Sequence, residues 1–384
     1  MYLPILNQLF DEEDEEDIER WASEFREIVG SIVVLEAPLS IASLARLLHI
    51  SKEDVSCRLD SLHSILSIPD RDDMPVRLLH LSFREFLVNA SKEKSPFWVD
   101  ERARHERLAS YCLKLMSGPE GLRQNVCGLQ PGSFRSEVDE GKITSHLSPE
   151  LQYACRYWVY HLEQSQCHVR DGGSTDIFLQ KHFLHWLEAM SLVGETNKCT
   201  HLIETLYALV DSSNSVLSLF LQDARRFTLR FRHILEAAPL QIYSSALIFA
   251  PGVSFVREAF VSEISGWIKM LSKREVDWDA CRSVLEGHTG SVSAVAFSPD
   301  GQLYLHTDRG DIPLPSPSMP SPSSQRMQSS HVFIQDQWVS LDQERLLWLP
   351  SDYRPTCSTV DKDVVCLGHS SGRTTLLKVN TLWA

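Results

Sequence analysis

No stretch of this sequence holds a long uninterrupted apolar run, and nothing approaches the roughly 18 residues that a bilayer-spanning helix needs. The N-terminus, MYLPILNQLFDEEDEED, has no basic leader and turns acidic at once, so it does not read as a signal peptide. No two of the nine cysteines (57, 112, 127, 155, 167, 199, 281, 357, 366) form a Cys-x-x-Cys pair. An odd number of scattered cysteines in a large chain without a leader reads as reduced, mostly buried thiols of a cytoplasmic protein. Positive charge is also scarce. Lys and Arg number 37 against 51 Asp and Glu, leaving a net charge of -14. Such a chain repels phosphate backbones, which argues against nucleic acid as a general partner.

The motifs of common chemistry are missing too. A P-loop needs Gly-x-x-x-x-Gly-Lys-Ser/Thr so that bare backbone N–H groups surround the phosphates. The nearest glycine cluster, Asp171-Gly172-Gly173-Ser174, has no lysine after it. Gly-x-Ser-x-Gly, His-Glu-x-x-His and the kinase set are likewise absent. His182 and His185 lie three apart on one predicted helix face, but no carboxylate or thiol is spaced to join them, which favours packing over metal binding. No catalytic, cofactor-binding or metal residue is therefore assigned, no cofactor is expected, and the chain reads as non-enzymatic.

What is present is ordinary globular composition, 43% hydrophobic and 23% charged, with room for two or three domains. Asp11 to Asp17 are seven consecutive acids and read as a solvated lead-in to a helix, where acids favour the dipole. Ile18, Trp21, Phe25, Ile28, Val29 and Ile32 recur at helical spacing up to Leu35. Ser40 is placed to cap a helix over Ile41 to Leu48. Ser51 opens a third, with Val55, Leu59 and Leu62 on one side. Short β-like runs follow at Ile65 to Ile68 and Val76 to Leu81, and Ser82 is placed to cap a helix from Phe83 to Val88. Three helices, a hairpin and a closing helix predict a winged-helix-like domain over 18–90. Its candidate recognition helix sets Lys52 and Arg58 against Glu53, Asp54 and Asp60, too little positive charge to read DNA.

Residues 91–280 predict an α-helical domain, with helices at His105 to Met116, Glu150 to Gln164, Phe178 to Leu192, Thr200 to Leu209, Val216 to Ala238, Gln241 to Phe249 and Ser254 to Lys269. Ser148-Pro149 is a helix-start signal, because proline at the first position loses no bond. Residues Gly118 to Gly141 read as a loop. Aromatic residues such as Trp158 read as core.

From 281 the pattern becomes strand-like. Leu285 to Gly301 reads LEGHTGSVSAVAFSPDG: a Gly287-His288 entry, alternating apolar residues and a tight turn, the opening of a WD40 blade. His288 reads as structural, and Trp278-Asp279 as a linker coincidence. A propeller needs about four to eight blades of roughly 40 residues, and too little chain remains. Residues 314–330 are Pro/Ser-rich and read as a disordered loop. Strands follow at Trp338 to Leu341, Arg345 to Leu349, Val364 to Gly368 and Thr374 to Val379. The fold class is thus mainly α (winged helix plus helical domain) with a small C-terminal all-β region resembling an incomplete WD40 propeller. The blade strand is expected to pair with strands after Gln335.

Several stretches together resemble one family: YLPILNQLF (2–10), EFREIVGSIVVLEAPLSIASLARLL (24–48), VRLLHLSFREFLV (76–88), SPELQYACRYWVYHLE (148–163), DWDACRSVLEGHTGSVSAVAFSPDGQ (277–302), QDQWVSLDQERLLWLPSDYRPTCSTV (335–360) and LGHSSGR (367–373). The chain is similar to the fungal NACHT–WD40 proteins, STAND-type receptors related to the heterokaryon-incompatibility (HET-E/HET-D-like) group. The resemblance implies a nucleotide-driven switch in which a WD40 propeller senses a ligand. This sequence departs from it twice. It begins after the position of the NACHT P-loop, and it passes from one early blade to the last. The expectation is a protein–protein interaction or scaffold fragment of such a receptor, binding protein partners through the partial WD40 region and the helical domain. Neither nucleic acid nor membrane is expected as a partner, and open β edges offer a route to self-association. The alternatives are an ATP- or GTP-dependent switch, as in the complete family, and a winged-helix DNA-binding regulator.

Overall fold

The computed structural model describes residues 2–7, 15–69, 71, 73–89, 91, 95–211, 215–272, 274–278, 295–297, 304–307, 310–313, 332–341, 344–361 and 363–380. Its architecture is mainly helical, with small antiparallel sheets towards the C-terminus that do not close among the described residues. The chain gathers into two compact units, 1–127 with 140–218, and 128–139 with 219–384. No described helix is long and apolar enough to cross a membrane.

The first unit opens with α1 (Tyr2–Asn7) and α2 (Glu15–Val34). The last three acids of the 11–17 run begin α2, and 11–14 lie outside the described residues. The apolar stripe of α2 is the buried one: Ala22, Phe25, Ile28, Val29 and Ile32 are all under 9% exposed. A fully buried side chain of this size contributes about 1.5–3 kcal/mol. Next come α3 (Ile41–Leu48) and α4 (Lys52–Asp60). Ser40 and Ser51 cap them as expected, accepting from the N–H groups of Ser43 and Asp54 at 3.2 and 3.0 Å. The hairpin is shorter than the β-like runs: β1 (Leu66–Ser67) pairs antiparallel with β2 (Arg77–Leu78). Helix α5 (Leu81–Val88) starts one residue before Ser82, and His80 at its N-cap makes no side-chain cap bond. The Ser82 hydroxyl is instead hydrogen-bonded to Tyr2 Oη at 2.8 Å.

Helices α6 (Glu101–Ser117), α7 (Glu140–His146), α8 (Pro149–Ser165), α9 (Ser174–Leu192) and α10 (Thr196–Ala208) complete this unit. Part of the expected 118–141 loop is therefore helical. Pro149 sits at the first turn of α8, although Ser148 gives no side-chain cap bond. The aromatic core is explicit: Trp158 and Trp186 meet edge to face at 5.9 Å, and the Trp186 indole N–H donates to the Cys155 carbonyl at 2.9 Å.

Helix α11 (Val216–Arg230) begins in the first unit and runs into the second. The expected 216–238 helix is broken at Phe231, which has φ -103° and ψ 15°, and α12 (Arg232–Ala237) follows. Phe231 is completely buried and packs on Phe227 at 5.0 Å. The next expected helix divides into a 3-10 turn, Pro239–Ile242, and α13 (Ser245–Phe249). The last one stops early. Ser254 caps α14 (Phe255–Phe260), a 3-10 turn follows, and Ile268–Met270 is strand β3, alternating buried, exposed, buried. A strand pairing with distant chain has overridden the helical pattern.

The remaining strands are β4 (Val295–Phe297), β5 (Tyr304–Thr307), β6 (Gly310–Pro313), β7 (Val332–Gln335), β8 (Trp338–Leu341), β9 (Glu344–Trp348), β10 (Cys357–Asp361), β11 (Val364–Gly368) and β12 (Thr374–Val379). They form sheets β4-β5-β6, β7-β8-β9 and β10-β11-β12-β3. The blade strand pairs locally, Val295 opposite Thr307, and not with strands after Gln335 as expected. A hairpin within reach closes a shorter loop and costs less entropy. The rest of the blade signature, His288 included, and the Pro/Ser stretch 314–330 lie outside the described residues. The Trp278 indole N–H donates to Asp223 and its ring packs near Phe227 and Phe231, while Asp279 lies outside the described residues.

Candidate interaction surfaces

His105 on α6 and His161 on α8 bring their Nδ1 atoms to 2.7 Å in the core of the first unit. His161 Nε2 is 2.8 Å from Tyr153 Oη, and that oxygen also accepts the Glu36 N–H at 3.2 Å. The proton order follows from this. Tyr153 gives its proton to Nε2, so His161 carries hydrogen on Nδ1 and donates to His105. Both rings are neutral in this arrangement. Burial drives their pKa values down, that of His161 to about 3, with the His105 ring adding to the effect. This chain of bonds locks α6, α8 and the end of α2 together and offers no open face to a substrate.

His182 and His185 lie with Nδ1 atoms 3.2 Å apart, and His182 stacks on Phe178. No cluster of three or more metal-capable side chains occurs among the described residues. Eight cysteines are described as free thiols, and Cys281 lies outside the described residues. Burial pushes the thiols of Cys155, Cys199 and Cys366 up to about 12, far from nucleophilic character.

The surface is more informative. Beside the β1–β2 hairpin, Met74, Leu79 and Leu81 are 46%, 47% and 77% exposed. Leu81 lines a groove of about 320 Å³ together with Ile32, Val33, Pro38, Val76 and Leu78 and the charged Glu36, Arg77 and Arg84. An apolar patch rimmed by charge is the usual composition of a protein contact. On α4, Arg58 pairs with Glu24 and lies 4.9 Å from the Trp21 ring centre.

In the second unit, segment 128–139 lies across β9. Gly132 allows this contact, since a Cβ there would fall 2.2 Å from the Arg345 carbonyl oxygen. Gln241 ties the parts together. Its amide donates to the carbonyls of Pro131 and Leu346 and its oxygen accepts the Trp348 N–H, at 2.8–2.9 Å. Phe134, Trp338 and Trp348 then meet nearly at right angles, with centres 5.0–5.9 Å apart. Arg345 lies 4.1 Å over Phe134 and is held by both oxygens of Glu137. The group lines a cleft of about 550 Å³. Sequence reading did not find it, because Phe134 sits in what reads as a polar loop, far from the tryptophans in the chain.

No family model matches the chain. It is 31% identical over 330 residues to the vegetative incompatibility protein HET-E-1 of Podospora anserina. The match covers 79% of this chain but only 23% of that protein, so the chain corresponds to less than a quarter of this relative's length. The similarity supports a HET-E-like family, the coarse part of what the motifs implied.

Proposed function

We propose that this chain is a non-enzymatic protein-interaction segment of an incompatibility-type signalling protein of the STAND kind. The observation that carries this reading is the similarity to HET-E-1 across 79% of the chain. Within it, 18–90 serves as a winged-helix-like module, 91–280 as a helical domain and 281–384 as an abridged WD40-like sensor acting in the cytoplasm. The apolar groove at Leu81 and the cleft at Trp338 and Trp348 supply contact surfaces for proteins. Phosphate release from ATP or GTP by the purified chain tests the non-enzymatic part: no turnover above buffer is expected, and turnover would overturn it. In a fungal host, expression of the chain is expected to alter the incompatibility reaction, and Leu81→Asp to remove that effect. An unaltered reaction with the parent chain would overturn the signalling part.

A further inference from the structure

A second cleft in the first unit, about 320 Å³, lies between α2 and the N-terminal half of α6, away from the hairpin groove. Arg26, Arg104 and Arg107 line it, together with Ser23, Ser95 and the indole of Trp98. In a chain of net charge -14, this is a local concentration of guanidinium groups. The lining carboxylate, Asp100, is already used, because its Oδ1 accepts the Ala103 N–H at 3.1 Å to cap α6.

The counter-charge is thin. Arg104 and Arg107 both lie 2.8 Å from the same oxygen of Glu27, whose other oxygen takes the Tyr111 hydroxyl at 2.9 Å. Arg26 donates to the Pro96 carbonyl at 3.0 Å and to Glu19 at 2.8 Å. Glu19 is 72% exposed, and such a pair contributes little. Each guanidinium has five N–H donors, so most remain. Two donors are buried without an acceptor: Nε of Arg104, on a side chain only 8% exposed, and Nε1 of Trp98. A buried unmet donor costs about 1–3 kcal/mol.

We propose that this cleft binds a phosphoryl group. A phosphate ester presents several strong acceptor oxygens at once, the match for a fork of guanidiniums. The start of the 17-residue α6 adds partial positive charge, and the hydroxyls of Ser23 and Ser95 add donors. Gly30 lies behind Val99 and Arg104, where a Cβ would come within 3.3 Å of Val99 and 3.4 Å of Arg104 Nε. The phosphoryl group comes either from a small free phosphate or from a phosphorylated side chain.

The test is calorimetric titration of the full chain with inorganic phosphate, and separately with a short phosphoserine peptide, each against chloride at equal ionic strength. Saturable binding is expected. Arg26→Gln and Arg107→Gln should each weaken it about tenfold, as loss of one charge-assisted bond does. Trp98→Phe should weaken it several-fold, and Arg71→Gln, outside the cleft, should leave it unchanged. Tighter binding of the peptide identifies a phosphorylated protein as the source, and tighter binding of free phosphate a small molecule. Phosphate binding no better than chloride, or binding that survives both arginine changes, overturns the proposal.

Discussion

The two compact units each hold a deep polar network, and the two networks differ in kind. That of the first is neutral, although Glu150 and Glu188 are buried in the same unit. His105, His161 and Tyr153 pass one hydrogen-bond chain between α6 and α8 with no formal charge. The second buries full charges. Glu275, 3% exposed, holds Arg230 at 3.0 Å and Arg373 at 2.8 Å, and Arg373 lies 4.2 Å over the Tyr353 ring. Helices satisfy their own backbones, so their contacts need only modest polar ties. Short strands gathered from distant parts of the chain need stronger directional anchors, and the Glu275 pairs join α11, the segment before Trp278 and the β11–β12 turn. A neutral network responds to pH, whereas a charged one responds to loss of a partner.

Three experiments break or sharpen that contrast. The largest effect is expected from Glu275→Ala, which takes the carboxylate from Arg373 and leaves Arg230 with only Asp352 at 3.6 Å. A loss of about 3–5 kcal/mol is expected, visible in urea as early unfolding of the β-rich unit while the helical signal persists. Equal loss from both units would remove the contrast. Acidification comes next. Burial holds the folded-state pKa of His161 down at about 3, below the ordinary imidazole value of 6.5, so the unfolded chain binds the proton more readily. Its contribution is therefore complete above pH 6.5, falls as pH drops toward 3, and changes no further below that. The helical transition should weaken through that window, and His161→Gln should flatten the slope. A slope unchanged by the substitution would assign the effect to other groups. The smallest effect is that of Gly132→Ala. Its Cβ collides with backbone at Arg345, so segment 128–139 must shift at a cost of about 1–3 kcal/mol. Trp338 and Trp348 fluorescence should redshift, with the helical unit untouched.

Legibility in the sequence followed the same divide. Helix α3 was readable to the residue and α4 at its start, because capping serines are local signals, whereas α4 ends at Asp60, before the expected His63. Strand β3 was not. Ile268 and Met270 continue a helical spacing, and only the partner strand β12, more than a hundred residues on, makes them extended. Nothing near Phe231 announces a break in α11, where this residue packs on Phe227. The candidate surfaces suffered most. The apolar character of Leu79 and Leu81 was visible, but their exposure was not. The aromatic cleft and the arginine cleft each assemble residues from separate elements, and no spacing rule links those.

The pairing of β3 with β12 has a consequence for how such a chain can change in length. Val379 faces Ile268 and Leu377 faces Met270, so the sheet's last strand is clasped by chain that precedes strands β4 to β9. Everything between the two halves of that clasp is, topologically, a loop. Loop closure grows only slowly with length, about 0.6 kcal/mol per doubling. Strand units can therefore be gained or lost inside the clasp while its two ends keep the same register, so sequence length in this region is free to drift without unfastening the C-terminus.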